Sequence, residues 1–155
     1  AYSLADTQRD NFDSAFGSEP TFASDGRSDR IDLRGEYRLL GGLVLAFGGE
    51  REWTEYRTSF DTGAETAITG AYAQLGWVLG PLAAHTGARI DGHERFGSEW
   101  SFGGDVSYRF AREWRLRASV GEGFKAPTLF QLFSDFGNEA LQPERSTSYD
   151  IGVER

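Results

Sequence analysis

The sequence predicts an all-β fold of antiparallel strands that run up and down, each joined to its neighbour in the chain. Two observations support this prediction. Apolar and polar residues alternate along most of the chain, which is the period of a β-strand with one face in an apolar medium. The chain also has 20 glycines and 14% aromatic residues among its 155 positions, a composition that suits a β protein with many turns.

Eight strands are expected, at residues 2–8, 27–39, 43–57, 66–79, 82–91, 98–110, 114–122 and 147–155. The second strand shows the alternation clearly, because Ile31, Leu33 and Leu39 share one face and Arg30 and Asp32 share the other. The fifth to eighth strands repeat it. Their apolar faces include Leu82, Ala84, Ile90, Trp100, Phe102, Val106, Tyr108, Trp114, Leu116, Val120, Tyr149, Ile151 and Val153.

The connections between these strands alternate between short and long. The short ones are Leu40 to Gly42, Gly80-Pro81 and Ala111 to Glu113. The long ones are Arg9 to Gly26, Thr58 to Glu65, Gly92 to Gly97 and Gly123 to Ser146. Such a two-sided scheme is typical of a transmembrane barrel, with short turns on the periplasmic side and longer loops outside. From the second strand onward, the strands also reach the roughly 9–11 residues that a tilted crossing of the bilayer needs.

Aromatic residues lie near the short turns, at Tyr37, Trp77, Tyr108, Phe110 and Trp114. They fit an interfacial girdle of a membrane barrel, and equally the core of a soluble barrel. The polar strand faces carry many charges, which would cost about 2–4 kcal/mol per cation if they faced lipid. They must face inward, and such a charged interior needs a wider wall than a dry eight-stranded barrel. These residues are Arg30, Arg34, Arg38, Arg89, Arg109, Arg115, Arg117, Asp32, Glu36, Asp91, Glu99, Asp105, Asp150 and Glu154.

Composition excludes several classes of function. The formal net charge of −8 argues against a nucleic-acid surface, which needs clustered Lys and Arg. Without cysteine there is no disulfide framework, thiolate metal site or cysteine nucleophile. No apolar run approaches the roughly 18 residues of a membrane helix, and no signal-peptide pattern starts at Ala1. Because position 1 is not methionine, we expect a chain processed or excised from a longer one.

Two motifs suggest enzymes but lack the required context. Gly121 to Ala126 matches the loose dinucleotide fingerprint, yet no long helix follows and the neighbouring strands alternate. Asp61-Thr62-Gly63 matches the aspartic-protease triplet, which would have to meet a second copy in a homodimer. Its flanks are polar, so a solvated turn is favoured.

Metal-binding residues are also weakly indicated. His85 lies on a polar strand face, and His93 lies eight residues further on without clear partners. Loop acids could chelate calcium, but they lack the regular spacing of a dedicated loop, so a solvated acidic surface is the default. These acids are Asp10, Asp13, Glu19 and Asp25. We expect no cofactor and no metal.

The stretch from Gly121 to Glu154 is the most specific part of the chain. Its pieces are Gly123-Phe124-Lys125-Ala126-Pro127, then Leu129 to Leu132, then Asn138 with Leu141 and Pro143-Glu144-Arg145-Ser146. In this order and spacing they resemble a stretch in the barrel of TonB-dependent outer-membrane receptors, the cobalamin and siderophore importers of Gram-negative bacteria.

The resemblance implies that residues 1–155 are part of a barrel of roughly 22 strands with a plugged lumen. The plug domain, the TonB box and the closing strands are not visible, and Arg155 ends the chain inside a strand. We therefore expect an internal or near-C-terminal barrel fragment without its plug.

The implied function is energy-coupled uptake of a siderophore, cobalamin or similar bulky nutrient, without a covalent step and so without enzymatic activity. The implied partners are outer-membrane lipid, lipopolysaccharide, the ligand, and the TonB complex acting through the plug. Candidate ligand contacts on the Gly123 to Ser146 loop are Phe130, Phe133, Phe136 and Asn138. These aromatics are alternatively packing residues that hold the loop over the barrel rim. Two other functions stay open, a small autonomous eight-stranded barrel with an adhesin or structural role, and an aspartic-type hydrolase.

Overall fold

A computed structural model describes residues 1–155 apart from 14, 16, 61, 62 and 135, and for residue 40 it describes the backbone alone. The described chain is a single antiparallel sheet with one short helix. The strands are β1 (Tyr2–Asn11), β2 (Phe22–Arg38), β3 (Leu43–Thr58), β4 (Ala64–Leu79), β5 (Leu82–His93), β6 (Gly97–Ala111), β7 (Trp114–Lys125) and β8 (Glu144–Glu154). The helix is α1 (Leu129–Phe133), and a 3-10 turn spans Leu40–Gly42.

The strand order in space follows the strand order in sequence, from β1 at one edge to β8 at the other. Each strand pairs antiparallel with its neighbour in the chain, so the predicted up-and-down topology is confirmed. Over the described residues β1 and β8 do not pair with each other, and the sheet is open. Eight strands therefore form an arc of wall and not a closed barrel.

The register gives the sheet two chemically different faces. One row of partners runs from Trp77 through Ala84, Val106 and Ala118 to Ile151, all apolar. We call the face that carries this row the outer face. The opposite face, here the inner face, carries the predicted polar residues such as Arg89 and Asp105. The alternation read from the sequence thus sets the two faces, because a shift of one residue would exchange them.

The apolar residues of the outer face are largely uncovered. Tyr108 is 47% exposed and Ile151 is 77% exposed, whereas the buried apolar residues of the described chain are Ala67, Leu129 and Leu132. A single sheet with an uncovered apolar face and a charged opposite face is the pattern of a barrel wall between lipid and an aqueous lumen. Among the described residues the structure contains no helix with the length and apolar character to cross a bilayer.

The predicted girdle aromatics lie where the sequence placed them. Tyr37, Trp77, Tyr108 and Phe110 occupy the ends of β2, β4 and β6, next to the short turns, and Trp114 opens β7. Each is at least 37% exposed. The indole N–H of Trp77 donates to the Gly41 carbonyl at 3.2 Å, which attaches one girdle residue to the β2–β3 turn.

The predicted long connection from Gly92 to Gly97 is wrong. His93 pairs with Gly97, so β5 and β6 are joined by residues 94–96 alone. The β1 and β2 strands are likewise longer than predicted, because Asn11 pairs with Phe22. Polar, non-alternating ends still form ladder hydrogen bonds, and a pattern based on side-chain hydropathy does not detect them. The strong contrast in loop length holds for the β1–β2 and β7–β8 connections.

Two glycines on the inner face let side chains of the next strand lie flat on the wall. A Cβ atom at Gly48 would lie 2.7 Å from the Tyr72 ring and 2.7 Å from the Leu33 carbonyl oxygen. A Cβ atom at Gly70 would lie 2.8 Å from the Asp91 carboxylate and still nearer the Arg89 guanidinium. These glycines make room for the polar side chains of the site described next.

Candidate functional site

The connection between β7 and β8, residues 126–143, is the longest in the described chain, and we call it the outer loop. It contains α1, whose first turn is closed by a capping box. The Gln131 backbone N–H donates to Thr128 Oγ1 at 3.2 Å, and the Thr128 backbone N–H donates to Gln131 Oε1 at 2.9 Å. Such reciprocal bonds satisfy donors that a five-residue helix leaves open, so the loop has a defined structure.

The outer loop folds back over the inner face and reaches β3 and β4. Leu129 and Leu132 are 6% and 2% exposed and anchor α1 against these strands. The Phe130 ring meets the Tyr56 ring edge-on, with centroids 5.9 Å apart. Thr128 and Leu129 therefore help to line a groove with inner-face residues of β3–β5. The other lining residues are Glu50, Glu52, Thr54, Thr66, Ile68, Arg89, Asp91, His93, Phe124, Lys125, Ala126 and Pro127.

Arg95, in the short β5–β6 connection, joins this connection to the outer loop. Its guanidinium donates to the Glu139 carbonyl oxygen at 3.0 Å and to the Glu139 carboxylate at 3.3 Å. The same group lies over the Phe133 ring, 5.1 Å from its centroid. One side chain thus holds both the end of α1 and the turn that follows it. A second ion pair joins the Arg145 guanidinium, at the start of β8, to the Glu99 carboxylate on β6.

The four predicted contact residues all lie on the outer loop but in different environments. Phe130 is 50% exposed and packs on Tyr56, and Phe133 is half-buried beneath Arg95. Phe136 is 96% exposed. Asn138 is an exposed turn residue, since its Oδ1 accepts from the Ala140 backbone N–H at 2.9 Å. Among these three aromatics, Phe136 is thus the one with its ring almost fully free.

The floor of the groove carries a cluster of paired charges, which we call the inner cluster. It consists of Glu50, Arg89 and Asp91, which line the groove, and of Arg30, which pairs with Glu50. Arg89 donates to both Asp91 carboxylate oxygens, with its Nε 2.9 and 2.8 Å from them, and a terminal nitrogen lies 2.5 Å from Glu50. Glu50 also receives the Arg30 guanidinium. The Asp91 side chain is 10% exposed, so these charges depend on their partners for stability.

The two histidines occupy separate polar settings on the inner face. His93 is 5% exposed; its Nδ1 accepts from the Arg95 backbone N–H at 3.1 Å, and its Nε2 lies 3.5 Å from Thr66 Oγ1. This geometry places the ring proton on Nε2, donating to the threonine. His85 Nδ1 lies 3.0 Å from Asp105 Oδ2. No group of three or more His, Asp or Glu placed to hold a metal ion occurs within the described part of the chain.

The two enzyme-like motifs have the following settings. Gly121 to Lys125 is a strand segment in an antiparallel sheet, followed by a helix of five residues, so the dinucleotide-binding context is missing. Asp61 and Thr62 lie outside the described residues, and the structure describes only Gly63 of that triplet. Gly63 has φ of +94°, which a glycine adopts easily in a connection between strands.

Sequence reasoning did not single out Glu50 or Arg95. The position of Glu50 could have been predicted from the sequence. Counting residue pairs back from the short β2–β3 turn places Glu50 opposite Asp32 and next to Arg30. No local pattern identifies Arg95, since its partners Glu139 and Phe133 are distant in sequence and are brought close only by the fold of the outer loop.

Comparisons with known proteins agree with this architecture. The family described as TonB dependent receptor-like, beta-barrel, matches residues 1–154. The chain is similar to the vitamin B12 transporter BtuB of Photobacterium profundum, with 32% identity in an alignment of 124 residues that covers 76% of this chain and 20% of that protein. The chain therefore spans about one fifth of the length of this curated relative.

Solved structures share the fold. The siderophore receptor PirA of Pseudomonas aeruginosa superposes with a TM-score of 0.78 at 22% identity, over 86% of this chain and 30% of that one. The ferric enterobactin receptor PfeA of the same organism superposes with a TM-score of 0.77 at 18% identity, over 98% of this chain and 29% of that one. The copper transporter OprC superposes with a TM-score of 0.70 at 20% identity, over 98% of this chain and 32% of that one. The two-faced open sheet, its outer loop and the match over residues 1–154 identify the chain as a member of the TonB-dependent receptor β-barrel family and as a portion of such a barrel.

Proposed function

We propose that the chain is part of the barrel domain of an outer-membrane receptor that takes up a bulky nutrient, a cobalamin or a siderophore, with energy supplied through TonB. The observation that carries the proposal is the family match across residues 1–154. The structure adds physical support, because the outer face suits lipid and the inner face suits an aqueous lumen. The process is recognition and gated passage, in which no covalent bond is formed or broken.

Cobalamin is the first ligand to test. The relative at 32% identity carries the name of a vitamin B12 transporter, whereas the solved siderophore receptors and the copper transporter lie at 16–22% identity and support the fold alone. Ferric siderophores are the second class to test. Both are large ligands with extended apolar or aromatic surface, which exposed aromatic rings contact well.

We place the first ligand contacts on the outer loop. Phe136 offers a ring that is 96% exposed, and Phe130 offers the free part of a ring that is already packed on Tyr56. Phe133 and Asn138 contribute mainly by shaping the loop, since the first lies under Arg95 and the second closes a turn. Loops on a rigid scaffold are the usual place for binding residues.

The partners follow from this placement. Outer-membrane lipid and lipopolysaccharide would contact the outer face, and the ligand would arrive from the side of the outer loop. The TonB complex would act through a plug region outside residues 1–155. These partners belong to the whole receptor. This chain corresponds to about a fifth to a third of the length of its relatives.

The test uses the whole parent receptor in a bacterial strain without its own receptors for these ligands. Radiolabelled cyanocobalamin and iron-55 ferric enterobactin are supplied separately, with and without a functional TonB complex. We expect saturable uptake of one of the two, lost without TonB. A folded receptor in the outer membrane that takes up neither compound would contradict these two ligand assignments, and uptake that persists without TonB would contradict the proposed energy coupling.

The loop contacts are tested in the same strain by Phe136→Ala. We expect weaker binding of the transported ligand, by about twofold to tenfold, because a stacked aromatic pair contributes about 0.5–1.5 kcal/mol beyond its area. The control is Phe110→Ala, which removes a 54% exposed ring at the opposite end of the sheet and should leave binding unchanged. Equal ligand affinity in the two variants would show that Phe136 does not contact the ligand.

A further inference from the structure

His93, the last residue of β5, is a buried histidine that the proposed ligand contacts do not use. Its ring is 5% exposed and lies against the Phe96 ring, with centroids 4.8 Å apart. Its Nδ1 accepts the Arg95 backbone N–H at 3.1 Å, and its Nε2 lies 3.5 Å from Thr66 Oγ1. Because Nδ1 accepts a hydrogen bond, it carries no proton, and the ring is neutral in this arrangement.

The hydrogen bond from Arg95 to His93 links this ring to the outer loop. It fixes the backbone of Arg95 within the short β5–β6 connection. From there the Arg95 guanidinium donates to the Glu139 carbonyl oxygen at 3.0 Å and lies 5.1 Å from the centroid of the Phe133 ring. Glu139 and Phe133 both belong to the outer loop. A change in the state of the His93 ring therefore reaches the outer loop through a single residue.

A proton on Nδ1 would break this link. Both nitrogens of an imidazolium are donors, so the new N–H of His93 would face the backbone N–H of Arg95. The hydrogen bond between them would be lost, and two N–H groups in a buried place would be left without an acceptor. The charge of the buried ring would add a desolvation cost. The arrangement seen in the structure is thus compatible with the neutral ring alone.

The charged groups around the ring give an imidazolium little support. Glu94 favours a proton on the ring but is exposed to solvent, and the positive charge of Arg95 opposes it. The helix α1 has no charged residue, and β4 presents Thr66 and Ile68 to the groove. The other elements contribute Arg89 and Asp91 on β5, Glu50 and Glu52 on β3, Glu99 on β6, Lys125 on β7 and Arg145 on β8. All four acids in this set are already paired with arginines.

We propose that His93 is a pH-sensitive switch for the outer loop. The neutral ring holds Arg95, and Arg95 holds the outer loop against the inner face; a proton on the ring releases both. A released, hydrated ring binds a proton more readily than the buried one, so docking of the loop weakens as the pH falls below about 6.5, where a free histidine titrates. Above that pH the loop stays docked. The release needs no ligand, so the proposal goes beyond the proposed uptake.

The test is hydrogen exchange in the whole receptor in detergent, at about pH 7.5 and about pH 5.5, with rates corrected for the intrinsic pH dependence of amide exchange. We expect the amides between Thr128 and Leu141 to exchange about fivefold faster at the lower pH. Linkage allows at most about tenfold at one pH unit below the titration of a free histidine. Amides in the paired parts of β6 and β7 should keep their corrected rates.

Three variants separate His93 from other causes. His93→Gln replaces the ring by an amide that does not titrate and whose oxygen can still accept from Arg95, so the pH effect should disappear. His85→Gln is the matched control, because His85 is the other histidine of the inner face and is paired with Asp105 at 3.0 Å. It should keep the pH effect. Arg95→Gln removes the link to the loop, which should exchange fast at both pH values.

Two results would overturn the proposal: equal corrected rates at both pH values in the unaltered receptor, or an unchanged pH effect in His93→Gln. The second would assign the effect to a carboxylate such as Glu139. If His93→Gln does not fold, Arg95→Gln decides, since a pH effect of unaltered size in that variant also contradicts the switch. Because hydrogen exchange is measured without ligand, failure of the switch leaves the proposed uptake standing, and failure of the uptake leaves the switch standing.

Discussion

At the scale of single residues, Arg95 connects two loops that the sequence separates. Its guanidinium binds Glu139 and covers Phe133, while its backbone N–H donates to His93. An exposed ion pair and a cation–π contact each contribute a fraction of a kcal/mol to about 1 kcal/mol. We therefore expect Arg95 to affect how often the outer loop leaves the inner face more than it affects the stability of the sheet.

Arg95→Gln tests this role. We expect backbone amides between Thr128 and Leu141 to exchange hydrogen about fivefold faster in the whole receptor, as a loss of about 1 kcal/mol predicts. Amides of β6 and β7 should keep their rates. Arg9→Gln, an exposed arginine on β1, is the control and should change neither region. Unchanged exchange in the loop would show that Leu129 and Leu132 hold it without help.

Glu50 is the residue on which the inner cluster depends, because it accepts from both Arg30 and Arg89. Its side chain is 18% exposed. Glu50→Gln removes the charge and leaves two guanidinium groups short of a partner, so we expect a loss of about 1–3 kcal/mol in unfolding free energy. This loss should appear as a lower midpoint of heat-induced unfolding of the Glu50→Gln variant in detergent.

Glu36→Gln is the matched control for Glu50, since Glu36 is 57% exposed and contacts a single arginine, Arg38, at 3.5 Å. We expect almost no change in the midpoint, as for most exposed ion pairs. Similar midpoints for both variants would mean that the inner cluster does not stabilise the wall.

At the scale of elements, α1 is too short to be stable as an isolated helix. Its capping box and its two buried leucines keep it formed. Thr128→Ala removes the cap and should cost about 1 kcal/mol, seen as faster hydrogen exchange at Leu129–Phe133. Thr128→Ser keeps the hydroxyl and should restore slow exchange. If both variants behave alike, the cap is not what maintains the helix.

The strands show how side chains and glycines are matched across the inner face. Gly48→Ala would place a methyl group 2.7 Å from both Tyr72 and the Leu33 carbonyl, so we expect destabilisation of about 1–3 kcal/mol. At Gly103 the nearest atom to a new methyl group lies 3.6 Å away, and Gly103→Ala should be tolerated. The unfolding midpoint of Gly48→Ala should therefore be lower than that of Gly103→Ala. Equal midpoints would contradict the idea that Gly48 makes room for the Tyr72 ring.

The alternation of residues such as Val106 and Asp105 was enough to predict the eight strands, their topology and their two faces, because it follows directly from strand geometry. The sequence could not predict that His93 pairs with Gly97, since ladder hydrogen bonds do not depend on side-chain hydropathy. Nor could it place Phe133 under Arg95 or Leu132 in a buried position. Those contacts depend on how the outer loop folds back onto β3, β4 and the β5–β6 connection.

At the scale of the whole molecule, the central claim is that residues 1–155 form an arc of a larger transmembrane wall. The open sheet, its uncovered apolar outer face and its charged inner face all follow from this claim. In the whole receptor, lipid should cover the outer face and water or protein the inner face. The family match over residues 1–154 agrees with it.

The most direct test is an accessibility profile along β6 in the whole receptor reconstituted in lipid. Residues 1–155 contain no cysteine, so single substitutions in a cysteine-free background give unambiguous labels. A nitroxide at Phe102→Cys, Val106→Cys or Tyr108→Cys should collide mainly with oxygen dissolved in lipid. A nitroxide at Ser101→Cys, Asp105→Cys or Ser107→Cys should collide more with a water-soluble nickel chelate. A profile without this period of two, or with the two sets exchanged, would contradict the account.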